Sequence, residues 1–179
     1  MDDTSFDSFV RAQLPSLTRY AVALTGSRHG AEDLVQETLV RVLGAWRRIR
    51  TDGNPAGYAT TVMFRVFVSS RRTRHKAPPT VELTFDPPAA DDRYGGVDAR
   101  LTALRNLASL PRLQRAVLVA TYLDDHSDDQ IAEMIGNSVV NVRQLRHRGL
   151  KSLRQRLEPD GDSVDRGEAN RGQHGIATA

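Results

Sequence analysis

Asn141, Arg143, Gln144, Arg146 and His147 fall within seven consecutive positions. Arginine, asparagine and glutamine are the side chains whose paired donors and acceptors match the edges of guanine or adenine in bidentate fashion. Arg148, Lys151 and Arg154 follow further along, where they suit phosphate oxygens, which fix position without reading sequence. From Arg143 to Arg156 there are six Lys or Arg residues and no carboxylate. The residues around them predict how they are held. Ser127 with Gln130 has the form of a capping box and starts a short helix with apolar Ile131, Met134 and Ile135. Gly136 stops it, since glycine takes the left-handed conformation of a sharp turn. Ser138 caps a second helix in which Val139, Val142, Leu145 and Leu153 keep helical spacing. A short helix, a glycine turn and a basic second helix predict a helix-turn-helix, with the second helix in the DNA major groove. A solvated basic helix of an ordinary bundle would not require turn, cap and charge pattern to agree.

A second constellation lies upstream. Between Arg41 and Lys76 there are nine basic residues and one acid, Asp52, interleaved with Trp46, Tyr58, Phe64 and Phe67. Basic side chains track a phosphate backbone, and aromatic faces stack on unpaired bases. The competing role for the aromatics is the core, favoured for Trp46 and Phe67, while for Tyr58 and Phe64 the choice between the two roles is open.

Other chemistry finds little support. There is no Ser-His-Asp pattern in a plausible context, no phosphate-binding glycine loop and no pair of carboxylates in an apolar setting, so no catalytic residue and no enzyme is expected. The run Asp124 to Asp129 is acidic, but no further ligand stands at helical spacing, and carboxylates at a helix start suit its dipole. Neither a metal site nor any cofactor is expected. With no cysteine, disulfides and thiolate sites are ruled out. The net charge is only +3, yet the pI is about 9.7. The clustering of charge therefore says more than its sum. The acidic, polar first residues and the absence of a long apolar run predict a soluble, cytoplasmic protein without membrane insertion.

Helices account for the positioning throughout. Phe6, Phe9, Val10, Leu14, Leu17, Tyr20, Ala21 and Leu24 predict an amphipathic helix or helix pair, broken or kinked at Pro15. Ala31 to Ile49 is a strong helix with Val35, Leu39, Val42, Leu43 and Trp46 as its buried stripe. Its other face runs from Glu32, Asp33, Gln36 and Glu37 to Arg47, Arg48 and Arg50. That polarity suits the dipole, and the same face is also available to a protein partner. Asn54 and Pro55 cap and open a helix to Arg72. Residues 77–97 hold four prolines and no helical period, hence a flexible linker. Asp98 to Ser109 and a helix from Pro111, with Leu113, Val117, Leu118 and Tyr122, supply the core that keeps the helix-turn-helix rigid. Residues 158–179 are polar and glycine-containing, which predicts a disordered tail. The expected fold is all-α, two small helical domains joined by a flexible linker.

The chain resembles the extracytoplasmic-function (group 4) sigma factors of the sigma-70 family, the promoter-recognition subunits of bacterial RNA polymerase. The resemblance is carried by residues 24–50, 54–74 and 110–154, and above all by AEDLVQE (31–37) followed at the right distance by the C-terminal helix-turn-helix. It implies that residues 1–76 are sigma region 2 and residues 98–157 region 4, with no region 1.1 and no region 3 domain.

By that resemblance the face with Asp33, Gln36, Glu37 and Arg41 docks on the beta-prime clamp helices of core RNA polymerase. Arg48, Asn54 and Tyr58 belong to the loop that captures a flipped −10 base, while Arg65, Ser69, Arg71 and Arg72 lie along −10 DNA. The helix from Ser138, with Val140, Asn141, Arg143, Gln144, Arg146, His147, Arg148 and Lys151, reads the −35 element, and the rest of region 4 touches the beta flap. A base read from a single strand must leave its stack, which pocket contacts offset. The resemblance also admits an anti-sigma factor as a further partner. The chain departs from the family where Gly-Thr then Lys is common, having Val140, Asn141 and Arg143, and where Asn is common, having Arg65. The alternative function is a stand-alone helix-turn-helix transcription regulator, although a phospho-acceptor domain would bring alternating strands and helices ahead of it.

Overall fold

The computed structural model describes residues 3–50, 53–69 and 96–157. Among them are seven α-helices and no strand: α1 (Asp3–Thr25), α2 (Arg28–Ile49), α3 (Pro55–Ser69), α4 (Gly96–Ala108), α5 (Arg112–Leu123), α6 (Asp128–Ile135) and α7 (Val139–Leu157). The all-α expectation holds. The linker expected at 77–97 and the tail at 158–179 lie outside the described residues, apart from Gly96 and Val97, which begin α4.

α1 is one continuous helix with Pro15 inside it. The expected division into a helix pair at Pro15 does not occur, and Pro15 stands on the exposed side of the helix. Thr25 and Ser27 close α1 and open α2: the Ser27 hydroxyl accepts from the Gly30 amide at 3.2 Å. Gly26 between them has φ +72°. α1 and α2 pair along Phe6, Phe9 and Trp46, whose ring centroids lie 5.1 Å (Phe6) and 4.9 Å (Phe9) from Trp46. Trp46 and Phe67 are core residues, as expected. Phe64, for which sequence left the choice between core and stacking surface open, is fully buried and belongs to the core.

The buried stripe of α2 is Ala31, Leu34, Val35, Thr38, Val42, Trp46 and Ile49. It is displaced from the expected stripe in one respect. Leu43 is 40% exposed and Val40 69% exposed. Both stand among the polar residues, because the helix turns its other side to α1 and α3.

The two helical units are packed against one another. The core is a single cluster from Leu17 in α1 through Phe67 in α3 to Val117, Ile131 and Val142 in the C-terminal helices. Arg115 in α5 lies inside it, 9% exposed, and donates to the carbonyls of Leu24 (2.8 Å), Leu110 (2.9 Å) and Ala108. Arg112 donates to the Phe67 carbonyl and stands over the Phe67 ring, 4.2 Å from its centroid. Tyr20 of α1 donates its hydroxyl to Asp124 just beyond α5. Across the joint, Arg115 and Arg112 thus satisfy carbonyls near the ends of α1 and α3, those of Leu24 and Phe67.

Candidate nucleic-acid interface

The helix-turn-helix is built by local hydrogen bonds that can be followed residue by residue. Ser127 Oγ accepts from the Gln130 amide (3.3 Å) and Gln130 Oε1 accepts from the Ser127 amide (2.8 Å), a complete capping box. Gly136 takes φ +66°, and the amides of Gly136 and Asn137 return to the last carbonyls of α6. Asn137 Oδ1 then accepts from the Ser138 amide (2.9 Å) and from Asn141 Nδ2 (2.8 Å), while Ser138 Oγ accepts from the Asn141 amide (3.2 Å).

On α7, Val142, Leu145 and Gly149 are buried. Gly149 lets α5 approach closely: a Cβ there would stand 3.0 Å from Leu118 Cδ1. The opposite face is exposed and carries Val140 (64% exposed), Arg143, Gln144, His147, Arg148 and Lys151. Spacings of three and four residues make these one stripe along the helix. Ser138, Asn141 and Arg146, also expected at the interface, do structural work. Ser138 and Asn141 belong to the cap, and Arg146 is half-buried against Asp128 of α6. Sequence reading did not find Asp128, because an acid eighteen residues from its arginine has no periodic signature.

The N-terminal unit presents two surfaces. Along α2, Asp33, Gln36, Glu37 and Arg41 share one face, with Glu37 and Arg41 paired at 2.6 Å. That face continues into Val40, Leu43 and Gly44, which with Trp46, Arg47 and Arg48 line a groove of about 860 Å³. The signal for these apolar members was present: Val40 falls at helical spacing from Gln36 and Glu37, on the side away from Val42. The second surface is split. Arg48 is exposed, Tyr58 is half-buried, and Asn54 is exposed yet caps α3 through the Gly57 amide at 2.8 Å. Ser69 donates to the Val66 carbonyl of its own helix. Arg65 donates through Nε to the Met134 carbonyl (3.1 Å) and through Nη2 to Glu133 (3.4 Å), so it caps the C-terminus of α6 across the joint. Arg71 and Arg72 lie outside the described residues.

Among the described residues no group of His, Asp and Glu could hold a metal ion, and no helix is long and apolar enough to cross a membrane.

Two family models match the chain: Sigma-70 region 2 over residues 9–77 and Sigma-70, region 4 over residues 101–153. The RNA polymerase sigma-E factor of Streptomyces coelicolor is 29% identical over 170 residues, 93% of this chain and 95% of its own. The ECF RNA polymerase sigma factor SigL of Mycobacterium tuberculosis is 32% identical over 149 residues, 79% of this chain and 82% of its own. Among solved structures, the sigma factor RpoE of Bartonella quintana, in complex with the anti-sigma factor NepR, superposes with a TM-score of 0.61. The pair are 21% identical, covering 90% of this chain and 99% of that one, which shows a common fold.

Proposed function

Because the chain belongs to the extracytoplasmic-function RNA polymerase sigma factors of the sigma-70 family, we propose that its exposed faces divide the work of promoter recognition as follows. The chain is a sigma factor, which binds core polymerase and directs promoter-specific initiation. Residues 1–76 act as region 2, residues 98–157 as region 4, and residues 77–97 connect them.

Region 4 reads the −35 duplex with the exposed stripe of α7. That stripe is the observation that carries the reading: Val140, Arg143, Gln144 and His147 stand at the start of the helix, where base edges are reached. Arg148 and Lys151 follow on the same exposed stripe and take the flanking phosphates. Region 2 engages the −10 element through Arg48, Asn54, Tyr58, Arg65, Ser69, Arg71 and Arg72. For Arg65 this requires release from the carbonyls of α6. The α2 face of Asp33, Gln36, Glu37 and Arg41, extended by Val40 and Leu43, receives the beta-prime clamp helices. An apolar centre within a charged rim is the usual make-up of a protein interface, and it explains why Val40 is left in solvent. The beta flap is assigned to the remaining surface of region 4.

Run-off transcription tests the proposal. The purified chain added to core polymerase yields transcript from a cognate promoter, and neither component does so alone. Specific repression or activation of a promoter without any sigma activity would reject it in favour of a stand-alone regulator.

A further inference from the structure

Asp128 opens α6, and its side chain is 13% exposed while it accepts from two arginines of α7, 15 and 18 residues further along the chain. The two arginines use it differently. Arg146 meets it with both terminal nitrogens, Nη1 on Oδ1 and Nη2 on Oδ2 at 3.2 Å. Arg143 meets it through Nε alone, 3.1 Å from Oδ2. A guanidinium presents its donors in a rigid planar fork, so a nitrogen spent on a carboxylate is not available to a base. Arg146 has therefore committed its fork, and its side chain is 31% exposed. Arg143 is 62% exposed and keeps Nη1 and Nη2 without a partner among the described residues. By helical spacing Arg143 borders the exposed stripe, and Arg146 borders the buried side of α7.

We propose that Asp128 is a positioning residue for specificity: it grips Arg143 by the Nε edge so that the Nη1/Nη2 fork is presented to one guanine of the −35 duplex, and it withdraws Arg146 from base reading. The inference rests on α7 being the −35-reading helix. O6 and N7 of guanine are two acceptors at the spacing of that fork. An arginine already held on one side loses less conformational freedom on binding than one swinging from its stem. The carboxylate does this at a cost in affinity, because it sits beside a duplex lined with negative charge.

The experiment uses the full chain with core RNA polymerase on promoters randomised across the −35 element ahead of a fixed −10 element. Arg143→Ala reduces the preference for one base pair by about tenfold. Asp128→Ala and Asp128→Asn reduce preference at that same base pair by about severalfold, while affinity for unrelated duplex rises because a negative charge is gone. Combining Asp128→Ala with Arg143→Ala flattens that position no further than Arg143→Ala alone. Arg146→Ala leaves the preference at every base pair in place. Thermal melting of each variant runs alongside, and where Asp128→Ala melts early the isosteric Asp128→Asn carries the comparison. If the Asp128 variants weaken all sequences alike, or strengthen all alike with the preference intact, Asp128 is only a strut or only a charge and the inference fails. A base pair lost in Arg146→Ala overturns it as well. If Arg143→Ala alters no position at all, the assignment of α7 to the −35 element falls with it.

Discussion

Arg115 is a cation held among apolar helices, and its charge is balanced by carbonyl oxygens rather than by a carboxylate. Burial, followed by repulsion from Arg112, pushes its pKa down to about 10, so it remains charged at neutral pH. The carbonyls of Leu24, Ala108 and Leu110 take the place of water around it. Truncation removes the donor and leaves buried acceptors behind, the expensive half of a hydrogen bond. Arg115→Ala is expected to lower the unfolding free energy by about 3 kcal/mol, seen as a lower urea midpoint. A loss below about 1 kcal/mol would show that the site relaxes around the gap. Gly26 is a second residue with a single solution. Its φ of +72° disfavours a side chain, and a Cβ there would stand 2.5 Å from the Ala108 Cβ, where two rigid elements meet. Gly26→Ala is expected to destabilise by about 2 kcal/mol, again in equilibrium unfolding, with the α4 end displaced from the α1–α2 turn.

At the scale of the element, the helix-turn-helix separates what holds α7 from what α7 offers. The capping box on α6 fixes the start of the motif, and Ser127→Ala is expected to cost about 1 kcal/mol of stability without altering which promoter is chosen. Lys151 lies on the exposed face, beyond the turns proposed to read bases. Lys151→Ala is expected to weaken binding about equally for all duplexes and to reduce the slope of log affinity against log salt by about 1. An effect confined to one base pair would move Lys151 into the reading group. α2 shows the same separation on the face proposed to receive core polymerase. Val40 contributes nothing to the core, so Val40→Glu should leave the melting temperature within a degree or two while abolishing assembly with core polymerase, measured by co-elution.

For the whole molecule the governing number is a length. A compact body of 179 residues has a radius of gyration of about 16 Å, whereas promoter positions −10 and −35 are ~25 base pairs apart, or ~85 Å along B-form DNA. With the two elements divided between the units as proposed, the packed arrangement cannot reach both, and α3 and α6 part when both are bound. Fluorescence labels on α2 and α7 are expected to be close in the free chain and to separate on adding core polymerase and promoter. Unchanged transfer efficiency would mean that only one element is contacted at a time. The joint also carries a pH dependence. Burial, then the hydrogen bond to Asp124, raises the Tyr20 pKa above its ordinary value of 10.0. The neutral phenol is thus favoured in the folded state, and its contribution is complete below the unfolded pKa and lost as pH climbs through the folded one. Melting temperature should fall above pH ~10, and Tyr20→Phe should flatten that alkaline limb.

Periodicity and local chemistry were sufficient for the helices themselves, for Ser127, Gly136 and Ser138 at the turn, and for the basic side of α7. Each of these depends on residues a few positions apart, which is the range over which a helix or a turn is decided. The same range explains the misplacement of Leu43, because an apolar residue at the edge of a stripe can face either way until a neighbour packs against it. Contacts at long range were settled only by packing. Arg65 closing the end of α6, Arg115 feeding the carbonyl of Leu24, and Asp128 dividing Arg143 from Arg146 join residues between 15 and 91 positions apart. A chain announces that it has cations to spend; which oxygens they meet is decided when helices with unsatisfied ends come together and must exclude water.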